Sequence, residues 1–273
     1  MTATRQPVTT RRTIVLYSLV GVTAYLIALL AGFPADRAYA LTRDYLAPVS
    51  LYGLDGSLWR GRAEMLTIDK TAFRSVSWSI SPWGLFLGRI STDWRFDQGD
   101  GRHRGHGRAG LSLIGARAAV SEARLTLPAA LVQSLFNSRP MSFQLGGTVH
   151  AELAEGRFDL PGGLPEVLRG RIQWLDASIT VRETAALGDF DISLDTGEEG
   201  LSAALRDRGG PLEAQGLATL DPQRRYVLKV HLAVRDSNRR DLINALQFLR
   251  IFGKPGPGNS IAIERQGILP SPS

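Results

Sequence analysis

Tyr226-Val227-Leu228-Lys229-Val230-His231-Leu232-Ala233-Val234 is the stretch that decides the fold. Tyr226, Leu228, Val230, Leu232 and Val234 fall on one side of an extended chain, with Lys229, His231 and then Arg235 on the other. Successive side chains of a strand point to opposite faces, so this alternation predicts a strand with one apolar and one wet face. The same period recurs upstream. Ile90, Thr92, Trp94 and Phe96 share a face, as do Leu111 and Leu113, Leu125 and Leu127, and Val149, Ala151 and Leu153. Phe190, Ile192 and Leu194 follow, then Leu201, Ala203 and Leu205. In Ile172-Gln173-Trp174-Leu175 the phase slips toward Ala177, Ile179 and Val181, which reads as a β-bulge.

Turn signals separate these runs: Asp55-Gly56, Gly99-Asp100-Gly101, Gly146-Gly147, Gly162-Gly163, Gly209-Gly210-Pro211 and Asp221-Pro222. Spacings this short predict antiparallel hairpins, roughly a dozen strands, more than a flat sheet carries comfortably. Short helices interrupt. Pro34 opens one that carries Leu41 and Tyr45. Leu127-Pro128 begins a second, with Leu131, Val132, Leu135 and Phe136 on one face and Pro140 at its end. A third starts near Asn238 or Arg239, places Leu242, Leu246, Leu249 and Phe252 on a stripe, and stops at Gly253 before Pro255 and Pro257. It reads as a cap on the sheet.

At the other end, residues 13–33 read TIVLYSLVGVTAYLIALLAGF, without a charge, after Arg11-Arg12 and before Pro34. As a helix this run covers about 30 Å, the thickness of a bilayer's hydrocarbon. A cleaved secretory signal is the alternative, and Ala38-Tyr39-Ala40 offers a cut site; the apolar run is too long for it and ends well before that site. Arg5, Arg11 and Arg12 precede the run without an acid, whereas Arg37 and Arg43 beyond it are offset by Asp36 and Asp44. The positive-inside rule then keeps residues 1–12 in the cytoplasm and sends residues 34–273 outward. A transmembrane β-barrel is the runner-up; it would carry aromatic girdles and a cleaved signal rather than an anchor.

The net charge of +6 owes three of its charges to the cytoplasmic tip, and the remaining arginines alternate with acids, as in Arg182-Glu183, Asp207-Arg208 and Arg235-Asp236. No basic stripe with interleaved aromatics exists, so a nucleic-acid partner is not expected. Lysines are only Lys70, Lys229 and Lys254, which reads as coding bias. With no cysteine, disulfides, thiol catalysis and thiolate metal sites are excluded together.

Other chemistry is sparse. Gly105-His106-Gly107-Arg108-Ala109-Gly110 matches G-x-G-x-x-G, but a strand rather than a helix follows, so it reads as a glycine-rich hairpin and not a nucleotide site. His103 and His106 lie between arginines, with His150 and His231 far off, a poor set for a metal. No G-x-S-x-G elbow occurs, and Glu198-Glu199 sits in a glycine-flanked turn. No catalytic, cofactor-binding or metal-binding residue is assigned, no cofactor is expected, and no enzyme activity. The five tryptophans, Trp59, Trp78, Trp83, Trp94 and Trp174, are expected to fill an apolar interior or to line an open groove.

Three segments carry a resemblance. Gly56-Ser57-Leu58-Trp59-Arg60-Gly61-Arg62-Ala63 is a G-[ST]-[LV]-W-x-G-x-A box just beyond the apolar run. Trp78, Pro82, Leu85, Leu87 and Gly88 form a strand-and-turn pattern. Gly188 leads through Gly209-Gly210-Pro211-Leu212 and Gly216 to Tyr226 and a closing Gly267-Ile268-Leu269. In this order they resemble the type II secretion system protein N family of the general secretion pathway, over essentially the whole chain. The resemblance implies a single-pass inner-membrane accessory subunit with a periplasmic mainly-β domain, non-enzymatic, whose partners are the other secretion subunits and the bilayer through residues 13–33. The family is also distantly similar to the elongated, taco-shaped sheets of AsmA-type proteins, whose inner trough is apolar and associated with lipid transport. That implies an alternative role as a trough for lipid or another hydrophobe. The expected fold is therefore an anchor helix followed by an elongated, curved antiparallel sheet with two or three short helices.

Overall fold

In the computed structural model, residues 17, 21, 25, 32–44, 49–68, 71–112, 114–136, 143–160, 164–181, 183–249 and 253–269 are described. The run 13–33 lies outside them except at Tyr17, Gly21 and Tyr25, which are helical, and at Gly32 and Phe33. Among the described residues no helix is long and apolar enough to cross a membrane.

The body is one 14-stranded sheet. Its strands are β1 (Val49–Gly56), β2 (Arg60–Ile68), β3 (Thr71–Ser81), β4 (Arg89–Asp97), β5 (Arg104–Ser112), β6 (Arg117–Pro128) and β7 (Gln144–Asp159). They continue as β8 (Leu164–Thr180), β9 (Thr184–Gly197), β10 (Gly200–Asp207), β11 (Leu212–Leu220), β12 (Arg225–Val234), β13 (Lys254–Pro255) and β14 (Ser260–Ile268). Each strand from β1 to β12 pairs with the next; β14 then inserts beside β12 and leaves β13 outermost. This is a meander, the topology that hairpin-length spacings dictate. Three helices join it: α1 (Ala35–Thr42), α2 (Ala129–Phe136) and α3 (Arg240–Leu249).

The sheet is open. Its end strands, β1 and β13, do not pair with each other. Curvature comes from bulges. Ser75 in β3, Glu122 in β6 and Asp176 in β8 hold φ of 52, 52 and 50°, and each switches the phase of its strand. The expected slip in β8 is the last of these: the register with β9 shifts between Trp174 and Ala177, and the Asp176 N–H donates to the Asp189 carboxylate at 2.8 Å. Gly146-Gly147, expected as a turn, instead lies inside β7, where Gly147 at φ 94° occupies a register shift against β8. A positive φ there needs glycine but does not reverse the chain.

Two of the helices bury side chains deeply against the inner face. Leu131 and Val132 of α2 pack on Phe73, Phe96 and Leu127. Leu135, expected on that packed face, is instead exposed, because so short a helix turns only about two residues per turn onto the sheet. Gln133 ties α2 to the start of β7: its amide donates to Phe143 O and accepts from Leu145 N, both at 2.8 Å. Leu242 of α3 is completely buried with Ile179 and Ala185, and Leu246 packs among Phe190, Leu212, Leu232 and Ile261. Burial on this scale contributes about 2 kcal/mol per leucine, so α3 acts as the cap that its sequence stripe indicates.

Candidate functional site

Strand register determines what the two faces of the sheet carry. From β3 to β6, Trp78 is opposite Trp94, Trp94 opposite Gly107 and Phe96 opposite Gly105, and Gly105 opposite Leu125. From β8 to β12, Ile172 is opposite Ile192, Leu205 opposite Ile192, Leu205 opposite Gly216 and Gly216 opposite Val230. One apolar lane therefore crosses the sheet. Deep burial in it is densest under α2 and α3, with Ala63 of β2 also buried; Ala109, Val120, Ala203, Ala218 and Leu228 remain only half-buried.

Glycines keep this lane smooth. A Cβ on Gly105 would stand 2.5 Å from the Phe96 ring, one on Gly107 2.8 Å from the Trp94 ring, and one on Gly267 2.9 Å from the Tyr226 ring. Gly61 lies likewise beneath Trp78. Each aromatic thus lies flat across a glycine on the neighbouring strand, as in aromatic rescue of strand glycines. Gly105 and Gly107 are consequently interior to β5 and not the hairpin that their spacing suggests. The signal that identifies them is the period-2 pair Trp94 and Phe96 on the preceding strand. The rings also contact one another: Trp94 stacks on Phe96 at 6.1 Å, and Phe73 meets Phe96 edge-on at 5.2 Å. Indole N–H groups are satisfied, Trp78 by Leu58 O at 3.0 Å and Trp174 by Gly146 O at 2.9 Å. The five tryptophans are not one set: Trp78, Trp94 and Trp174 serve the lane, Trp59 is half-buried in the β1–β2 turn, and Trp83 is 76% exposed in the β3–β4 turn.

At its first strands the lane opens into a pocket of about 450 Å³ beneath α1. Phe33, Ala38 and Leu41 roof it, and Leu54, Trp78 and Ile80 form its floor. Ala38-Tyr39-Ala40 is within α1, and the Tyr39 hydroxyl accepts from Leu51 N at 3.2 Å, capping the edge strand β1.

The outer face is charged and paired. Arg62–Asp55, Arg108–Asp93, Arg124–Glu152, Arg169–Asp195 and Arg208–Asp191 are ion pairs between strands or their ends. Such exposed pairs are worth at most about 1 kcal/mol each, so they set solubility and register more than stability. His106 lies exposed on this face, while His103 pairs with Asp100 in the β4–β5 turn. The His103 hydrogen bond pulls the Asp100 carboxyl down to about 2. Glu198 and Glu199 occupy the β9–β10 turn. A deeper pair sits where β10 ends: Asp207, 8% exposed in its side chain, meets Arg235 at 2.6 Å. It also accepts from Gly209 N at 2.9 Å and Ala214 N at 3.1 Å. Burial pushes the Asp207 carboxyl up, but Arg235 and the two N–H groups outweigh it and hold the group below its ordinary range.

One edge of the sheet is left open. β13 pairs with β14 only at Ala262 and Ile261, so Ile263–Ile268 has no strand on its outer side among the described residues. Beside that edge Leu217, Val227 and Ile268 are 48, 38 and 71% exposed.

The chain is 26% identical over 261 residues to the type II secretion system protein N of Aeromonas hydrophila, covering 93% of this chain and 98% of that protein. It is also 26% identical over 132 residues to the type II secretion system protein N of Vibrio cholerae serotype O1, covering 48% of this chain and 50% of that one. No solved structure matches. The family model for protein N of the type II secretion system matches residues 47–263, from β1 into the start of β14, and the chain therefore belongs to the type II secretion system protein N family.

Proposed function

We propose that this family member is a non-enzymatic accessory subunit of the secretion machinery, held in the inner membrane and working by contact. Residues 1–12 lie in the cytoplasm, 13–33 cross the bilayer once, and 34–273 form the periplasmic domain. The observation that carries the contact role is the open β14 edge. An unpaired strand edge is a template for an added strand, with main-chain hydrogen bonds for affinity and side-chain pockets for specificity. On the outer face near it, exposed Leu217 and Val227 stand among Lys229, Glu264 and Arg225. A photo-crosslinking residue placed at Glu264 or Gln266 of the full chain, in secreting cells, should form adducts with other type II secretion subunits. An adduct profile without any secretion subunit would count decisively against the reading.

The half-buried lane favours a second reading, a trough that holds lipid or another hydrophobe. The apolar path from Trp78 to Val230 and Ile263 carries no charged residue; the charges on this face, Asp207 and Arg265, lie beside it. Full chain extracted in mild detergent should then release phospholipid on denaturation, and protein that is empty after such extraction would dismiss the trough.

A further inference from the structure

We propose that the rim of hairpin turns on the anchor side of the sheet is seated in the bilayer interface, with Trp83, Leu87 and Ile114 among the lipid headgroups and upper acyl chains. The proposal rests on reading residues 13–33 as the membrane span. The end of that run is fixed to the rim: Leu58 N donates to Phe33 O at 2.9 Å, and Pro34 bridges to Ser57. In a meander every second turn returns to the same rim. The β1–β2, β3–β4, β5–β6 and β7–β8 turns are therefore brought to the side where the span ends.

These turns form a continuous ridge. Ile80 N donates to Trp59 O at 2.6 Å, a Cβ on Gly88 would stand 3.1 Å from Ile114, and Leu160 N donates to Ala116 O at 3.0 Å. The ridge is apolar where a soluble turn is normally polar. Trp83 and Ile114 are each 76% exposed, Leu87 70% and Leu160 49%. At the β3–β4 and β5–β6 turns the flanking charges are basic, since Ser81–Arg89 and Ser112–Arg117 contain arginine and no acid; the β1–β2 turn mixes Asp55 with Arg60 and Arg62, and the β7–β8 turn carries Asp159 and Glu166. The opposite rim has the contrary chemistry, with Asp97, Asp100, Arg102 and His103 around the β4–β5 turn and Asp207 and Arg208 at the β10–β11 turn. Tryptophan and aliphatic side chains beside arginine are what an interface selects, with arginine drawn to anionic headgroups. The basic, apolar pattern is confined to the β3–β4 and β5–β6 turns, so contact belongs to these two hairpins, whereas the later turns of this rim carry Asp159, Glu166 and Glu198-Glu199.

The absence of cysteine makes the test clean. Tyr17→Cys, Leu87→Cys, Ile114→Cys and, on the opposite rim, Val181→Cys each place one nitroxide label on the full chain in nanodiscs of phosphatidylcholine and phosphatidylglycerol. All four sites are exposed, so the fold tolerates the label. Collision with oxygen, which favours lipid, is compared with collision with a water-soluble nickel chelate. The oxygen-to-nickel ratio at Leu87 and Ile114 should exceed that at Val181 several-fold and approach that at Tyr17. Equal ratios at Leu87, Ile114 and Val181, with Tyr17 in lipid, overturn the proposal and leave the anchor standing. A water-exposed Tyr17 label overturns the anchor and the proposal together. Labels at Leu87 and Ile114 shielded from both probes would indicate a protein partner on the rim, and overturn it as well.

Discussion

The pairing of aromatic rings with glycines makes one substitution do opposite things at two places on the same strand. Gly107 and Gly110 both lie in β5 with ordinary negative φ. Replacing a strand glycine by alanine normally stabilises by about 0.5–1 kcal/mol, because the unfolded chain loses freedom. At Gly110 the new methyl has its nearest neighbours at 3.7 and 4.0 Å, so Gly110→Ala should show that gain. At Gly107 the methyl would stand 2.8 Å from the Trp94 ring and 2.9 Å from Ala123, whose backbone cannot give way. Overpacking of this kind costs about 1–3 kcal/mol, which leaves Gly107→Ala net destabilising by about 1–2 kcal/mol. For a chain of this size each kcal/mol moves Tm by about 2–4 °C. Thermal unfolding of the full chain, followed by far-UV circular dichroism, should place the two variants on opposite sides of the parent. Adding Trp94→Phe removes the ring atom in the way but leaves the Ala123 contact, so it should recover part of the Gly107→Ala loss, a coupling of about 0.5–1 kcal/mol. If Gly107→Ala is as stable as the parent, or Trp94→Phe fails to rescue it, the rings do not lie flat over the glycines and the smooth lane is wrong.

Other outcomes follow from individual contacts. Leu242→Ala empties the completely buried position under α3 and should cost about 3 kcal/mol in denaturant unfolding. Asp207→Ala strands Arg235 and the Gly209 and Ala214 N–H groups, and should cost about 2 kcal/mol at neutral pH. Because the Asp207 carboxyl is held below its ordinary range, the stability it gives is full above the unfolded value near 4 and lost as pH falls through the folded one. The variant should therefore have a shallower acid-unfolding slope below about pH 4 than the parent. His103→Ala should return the Asp100 carboxyl from about 2 toward its ordinary value in an NMR titration.

Period-2 alternation in Tyr226–Val234 and its counterparts is enough to specify an antiparallel β protein, because one face of every strand must be dry. The β8 bulge shows in sequence for the same reason: a change of phase puts Trp174 and Ala177 on one face. Gly146-Gly147 and Gly105–Gly110 misled because glycine serves both turns and strand interiors, and only the partner strand distinguishes them. The open β14 edge and the split among the tryptophans were not legible, since both depend on which strands finally pair.

The most direct test of an open, one-sided sheet is thiol accessibility on that lane. Ala203→Cys and Ala218→Cys sit at half-buried positions in its middle, whereas Ala214→Cys lies beneath α3's apolar cluster at 1% exposure. In delipidated full chain under native conditions, the first two should react with a polar maleimide within an order of magnitude of an outer-face control at Ala204, and Ala214→Cys should be protected. Protection of all three inner sites would mean a closed, filled interior.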